Sequence, residues 1–221
     1  MSLDVYKRLM FRSRKYRNIV ILGSLGVGKS SLVNMLIGRA VAPVSSGIDP
    51  VHPAIVEYPI SLAEMSGDTS APSNPDLVLR LYDTVGLEHH PSPWRAIKER
   101  LKRNGGVDLV LYCMRRGRLS NEQVTHLRDV WSTYCREGVP LLLIVSNVDF
   151  RRGSTEEWWQ ENGEDLRNMV EVEFADYIWL NTLEPHHPSW KHHQGVGYEE
   201  AQKLVRDLVV RHCTVRSSGS I

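Results

Sequence analysis

The stretch RNIVILGSLGVGKSSLVNMLIG, residues 17–38, decides how the rest of the chain is read. An apolar run over 18–22 meets a glycine-rich turn. Leu32, Val33, Met35, Leu36 and Ile37 then recur at helical spacing, so the pattern predicts strand, turn and helix. Gly23, Gly28, Lys29 and Ser30 fit G-x-x-x-x-G-K-[ST] without a mismatch, in the strand-to-helix context that the pattern requires. Glycines let the backbone fold back so that successive N–H groups converge, and the helix adds the positive end of its dipole. Such a nest holds polyphosphate. The expected contacts are Gly23, Ser24, Leu25, Gly26, Val27, Gly28, Lys29, Ser30 and Ser31. Lys29 reaches the β and γ phosphates in a catalytic role, and the Ser30 hydroxyl ligates Mg²⁺.

Working outward, 221 residues suffice for one α/β domain with a good core. A formal net charge of +1 argues against a bulk nucleic-acid binder. Cys113, Cys135 and Cys213 form no C-x-x-C pair, and an odd count without a signal peptide points to a reducing, cytoplasmic setting. No apolar run approaches the about 18 residues of a membrane span. Residues 1–17 carry Lys7, Arg8, Arg12, Arg14, Lys15 and Arg17 against Asp4 alone, with Val5, Leu9, Met10 and Phe11 between them. A solvated leader is the expectation, and a basic amphipathic segment on an anionic membrane surface is the alternative. The expected organisation is a leader over 1–16, one nucleotide domain over 17–213 and a polar tail over 214–221, whose RSSGSI belongs to a longer natural protein in one reading.

Further strands are expected over 54–60, 76–83, 107–114, 140–146 and 176–180, with a mobile loop over 61–75. Helices are expected around Trp94, Ile97 and Leu101, and after Ser120, where Gln123 completes a capping box and Val124, Leu127, Trp131 and Tyr134 form the stripe. A Trp-rich insertion over 156–174 should contain a short helix carrying Leu166, Met169 and Val170, with Trp158 and Trp159 pinning it to the core. A closing helix over 198–213 should turn Ala201, Leu204, Val205 and Leu208 inward. Strand–helix alternation implies a three-layer α/β/α fold on a mostly parallel sheet of six strands, its ligand site along their carboxyl ends.

The remaining chemistry falls on that edge. Asp83-Thr84-Val85-Gly86 matches D-x-x-G: Asp83 holds Mg²⁺ through water, and Gly86 bends so that its N–H meets the γ-phosphate. In Ser146-Asn147-Val148-Asp149, Asp149 accepts two hydrogen bonds from guanine N1–H and N2–H₂. Ser146 and Asn147 stand where N-K-x-D has Asn and Lys, and Asn147 is the candidate to brace the loop instead. Asn181 and Thr182 follow the last strand, where a backbone loop touches the base. Leu87 occupies the place of a water-positioning Gln, so hydrolysis should be slow, with His89 as a candidate to orient water against a plain solvated histidine. No Thr lies between Ser31 and Asp68 to serve a first switch, leaving Ser45 or Ser46. Arg115, Arg116 and Arg118 read as a solvated rim, and His186, His187, His192 and His193 fit no closed Zn²⁺ spacing.

The ordered set GSLGVGKSSLVN, DTVG and SNVD resembles translation-factor-type P-loop GTPases, nearest the septin and AIG-like branch. VAPVSSGIDP, GVDLVLYCMRRGR, EEWWQENG and YEEAQKLV are similar to stretches of fungal G domain-containing proteins of that kind. The resemblance covers about residues 17–213 and implies a Ras-like G domain with Mg²⁺ and GTP or GDP as ligands, slow GTP hydrolysis and switching. It also implies a nucleotide-dependent homodimer and a protein effector of unknown identity. A non-hydrolysing assembly module and a P-loop small-molecule kinase are the alternatives.

Overall fold

The computed structural model describes residues 15–44, 54–67, 76–84, 86, 91–115, 120–135, 138–146, 155–182 and 197–214. Six strands form one sheet: β1 (Tyr16–Gly23), β2 (Ile55–Ser61), β3 (Val78–Thr84), β4 (Leu109–Arg115), β5 (Leu141–Ser146) and β6 (Asp176–Trp179). Their order is β2-β3-β1-β4-β5-β6, parallel throughout except for β2, which runs antiparallel to β3. Six helices are described: α1 (Lys29–Ile37), α2 (Leu62–Ser66), α3 (Pro91–Arg103), α4 (Asn121–Val130), α5 (Thr155–Val170) and α6 (Tyr198–Thr214).

Alternation along the central strands sorts the core into two halves. Ile19, Ile21, Leu79, Leu81, Leu111 and Ile144 face α1, α2 and α6. Val20, Leu22, Tyr82, Val110, Tyr112 and Leu143 face α3, α4 and α5. Both faces of β1, β4 and β5 are covered, which is why these strands read as continuous apolar runs. The expected three-layer fold on a six-stranded, mostly parallel sheet is the fold observed.

Four local expectations need correction. Part of the segment assigned to a mobile loop is α2, opened by a reciprocal capping box between Ser61 and Glu64 and anchored by buried Leu62 and Met65. The Ser61 hydroxyl and backbone N–H, bonded to the Glu64 carboxylate, hold it below its ordinary value. The insertion's helix is long: α5 runs for 16 residues straight through Gly163. The stripe after Ser120 shifts because α4 ends in a π turn, Trp131–Cys135, whose wider turn advances the phase. It buries Val130 and Cys135 and leaves Trp131 and Tyr134 half-buried. Finally, Leu204, expected inward, is exposed, as is Met169 on α5, and Val209 and Val172 are buried near them.

Trp159 anchors α5 as expected, stacked on Tyr177 at 3.9 Å and edge-on to Phe174. Among the described residues no helix is long and apolar enough to cross a membrane.

Candidate functional site

The carboxyl ends of β1, β3, β4 and β5 and the residues after β6 converge around residues 23–30. Gly23 ends β1 at φ +141°, and a Cβ there would lie 2.2 Å from the Cys113 carbonyl oxygen on β4, so only glycine lets the chain turn off the sheet here. The loop closes at Gly28, the residue capping α1, which has no side-chain cap. The first-turn N–H groups of α1 are therefore not taken by a capping side chain, as an anion site requires.

The loop carbonyls are held from behind. Lys29 Nζ donates to the carbonyls of Gly23 at 3.0 Å and Ser24 at 2.6 Å. Arg115 Nη2 donates to Gly26 O at 2.6 Å, Ser146 Oγ to Val27 O, and Leu32 N to Gly28 O at 2.9 Å. Engaging the oxygens of these peptide planes on one side turns the loop's N–H groups toward the other, which is the polarity of an oxyanion cradle.

Ser30 Oγ donates to Asp83 Oδ2 at 2.7 Å, joining the start of α1 to the end of β3. Asp83 is nearly buried, and its neighbour Thr84 is tied back to β1 through Ile21 O at 2.7 Å. Two hard oxygen donors at the rim of a phosphate cradle suit Mg²⁺. The carboxylate is felt by its surroundings: burial raises the Tyr58 phenol and Asp83 raises it further. Burial pushes the Cys113 thiol up to about 12, with Lys29 pulling down and Asp83 pushing up, so this cysteine is an inert floor beneath the site. Gly86 lies against the loop, and a Cβ there would sit 2.6 Å from Leu25 N.

Of the expected nucleotide contacts, Gly23, Ser24, Val27, Lys29 and Ser31 are buried, Gly28 and Ser30 half-buried, and Leu25 and Gly26 exposed. Asn181 and Thr182 are both buried, and Thr182 Oγ1 lies 2.8 Å from where a Cβ of Gly28 would be. The structure thus brings Lys29, Ser30, Asp83, Gly86 and Thr182 to one edge. Asn147 and Asp149, His89 with Leu87, Ser45 and Ser46, Arg116 and Arg118, Trp158's side chain and the histidine group at 186–193 lie outside the described residues.

Two side chains differ from expectation. Arg115 does not project as a solvated rim: although exposed, it grips Gly26 O. Ser146 itself braces the loop, its Oγ within reach of both Val27 O and Met114 O. A short hydroxyl suffices for this brace because β5 ends so close to the loop. Gln123 was legible only as a helix cap, yet its Nε2 donates to Ser24 Oγ at 2.9 Å.

An edge built this way defines a P-loop nucleotide-binding protein. Residues 18–147 match the family model described as 50S ribosome-binding GTPase, more than half of the chain, and the chain belongs to that family. A curated relative, the translocase of chloroplast 34 homolog, chloroplastic, of Chlamydomonas reinhardtii, is 31% identical over 125 residues, which are 51% of this chain and 29% of that protein. The chain therefore matches under a third of that relative's length. Among solved structures, Toc33 from Arabidopsis thaliana in complex with GDP and Mg²⁺ matches with a TM-score of 0.64 at 19% identity, covering 96% of this chain and 90% of that one. A structure reported under the statement that dimerization is important for the GTPase activity of the chloroplast translocon components atToc33 and psToc159 matches with a TM-score of 0.65 at 19% identity, covering 99% and 90%. At such identities the likeness carries the fold. The expectation of a cytoplasmic protein is corrected by these findings, since the relative is chloroplastic by name. Buried free thiols report that no disulfide forms, which does not single out the cytoplasm.

Proposed function

We propose that the chain binds Mg²⁺·GTP in the loop of residues 23–31 and acts as a slowly hydrolysing switch that pairs with a second copy when loaded. The observation that carries this reading is the Ser30–Asp83 contact at 2.7 Å beside Lys29. It joins the two motifs that must meet on one metal. Lys29 neutralises the β and γ phosphates, Ser30 ligates Mg²⁺, Asp83 holds it directly or through water, and the Gly86 N–H meets the γ-phosphate. Asp149 reads guanine with Asn147, Asn181 and Thr182 around the base, and His89 is the candidate to orient water where Leu87 replaces the usual Gln. The working unit is 17–213. Within its family we place it nearest the septin and AIG-like branch of the translation-factor class, on the strength of GSLGVGKSSLVN and DTVG.

The importance of dimerization for the GTPase activity of atToc33 and psToc159 supports the paired state. A protein effector, contacting the segments that respond to the γ-phosphate, completes the switch. Titration calorimetry tests the reading: Mg²⁺·GTP binds, Mg²⁺·ATP binds far more weakly, and Lys29→Ala loses GTP affinity by about 100-fold or more. Equal affinity of the Lys29→Ala variant, or a preference for ATP, overturns it, the latter in favour of a small-molecule kinase. Phosphate release at background level from a protein that binds GTP leaves the non-hydrolysing assembly module.

A further inference from the structure

The phosphate loop is gripped by the chain that leaves β4, a stretch outside the nucleotide motifs. Arg115, the last residue of β4, donates to Gly26 O at 2.6 Å, and Gln123, in the first turn of α4, donates to Ser24 Oγ at 2.9 Å. The orientation of the Gln123 amide is set by its other end. Its Oε1 accepts from the Ser120 backbone N–H at 2.9 Å, and a backbone N–H can only donate, so Nε2 must face Ser24. Ser24 is buried, and its carbonyl is also the nearer of the two that Lys29 Nζ binds, at 2.6 Å. A continuous chain of polar contacts thus runs from the cap of α4 through Gln123 and Ser24 to Lys29.

We propose that Gln123 is a positioning residue of the phosphate loop, acting through Ser24 to keep Lys29 and the first turn of the loop in the nucleotide-holding arrangement, and so sets the dwell time of bound nucleotide. The inference rests on the functional reading above. Its physical basis is that a glycine-rich loop has little stiffness of its own. Its geometry comes from what grips it, and a neutral hydrogen bond to a buried hydroxyl supplies a restraint that the motif itself does not contain. The same bond gives α4 a mechanical connection to the nucleotide, because the side chain that caps the helix also holds the loop.

The test is the dissociation rate of a fluorescent GDP from the Mg²⁺-loaded full chain, chased with excess GDP, for wild type, Gln123→Met, Ser24→Ala, the double variant and Ser120→Ala. Gln123→Met keeps length and bulk. Ser120→Ala weakens the helix cap while leaving the Gln123–Ser24 bond in place. The expected result is dissociation faster by about three- to tenfold in each of Gln123→Met and Ser24→Ala. The double variant is no faster than the faster single variant, and Ser120→Ala stays within about twofold of wild type. Unchanged rates in Gln123→Met, additive effects in the double variant, or an equal acceleration in Ser120→Ala overturn the proposal. Wild type that binds no guanine nucleotide removes the functional reading as well, whereas wild type that binds and a Gln123→Met variant that does not differ remove this inference alone.

Discussion

At residue scale, the site depends on short side chains that reach backbone carbonyls. Ser146 shows why a substitution in a motif has to be weighed in three dimensions. Its hydroxyl lies within reach of Val27 O and Met114 O, so it links the end of β5 to both the phosphate loop and β4. Ser146→Ala removes the only side-chain donor shown for these two carbonyls among the described residues. The variant should lose about 1–2 kcal/mol of stability by urea unfolding and hold nucleotide more weakly, the second effect read by calorimetry. Arg115 and Gln123 carry no sequence signal as loop contacts for a related reason. Their partners, Gly26 and Ser24, are 89 and 99 residues away, and no local pattern encodes a contact of that span.

At the scale of elements, α5 is the instructive case. A glycine inside a helical pattern costs about 1 kcal/mol relative to alanine and invites a short helix on paper. Gly163 nonetheless sits within the 16 residues of α5, because a Cβ there would lie 2.7 Å from the indole ring of Trp159 one turn earlier. That indole is pinned between the helix and Tyr177, so it cannot swing away. Gly163→Ala, stabilising on propensity alone, should therefore destabilise the protein by about 1–3 kcal/mol in urea unfolding. Adding Trp159→Leu should recover part of the loss. α2 is hard to read from sequence for another reason: its Ser61-x-x-Glu64 box lies in a stretch whose surrounding Ser, Gly and Pro dominate the composition. Buried Leu62 and Met65 secure this turn, and neither is conspicuous in a five-residue helix.

For the whole molecule, the closing helix decides whether the domain is complete. The family match ends at residue 147, yet α6 covers one sheet face with Ala201, Val205, Leu208, Val209 and Cys213. It also caps the far end of α1: Gln202 Nε2 donates to Met35 O at 2.7 Å and Arg206 Nε to Leu36 O at 2.8 Å. A chain stopped at residue 197 should fail to fold cooperatively, exposing the core around Ile19 and Leu111. Circular dichroism melts against the full chain would check this. Alkaline stability is a second whole-molecule property. Burial pushes the thiols of Cys113 and Cys135 up to about 12 and raises that of Cys213 too. Folding thus favours the protonated thiols, whose contribution is fully present below the unfolded pKa of about 8.5 and lost as pH rises from there toward the folded values. Unfolding free energy should fall above pH 8.5 by up to about 1.4 kcal/mol per pH unit for each thiol, with Cys135→Ala flattening the slope. Urea midpoints at pH 7.5, 9 and 10 measure it.

The sequence by itself determined the strand–loop–helix at its centre, the six strands and their layering, and the meeting of Ser30 with Asp83. These rest on short-range spacing and on the two-sided burial of parallel strands, both written locally in the chain. The tertiary structure alone decided which side chains stiffen the loop, why Gly163 is compatible with a long helix, and that a serine serves as the brace at the end of β5. Those outcomes depend on distances between segments far apart in the chain, fixed only when the sheet brings their ends together.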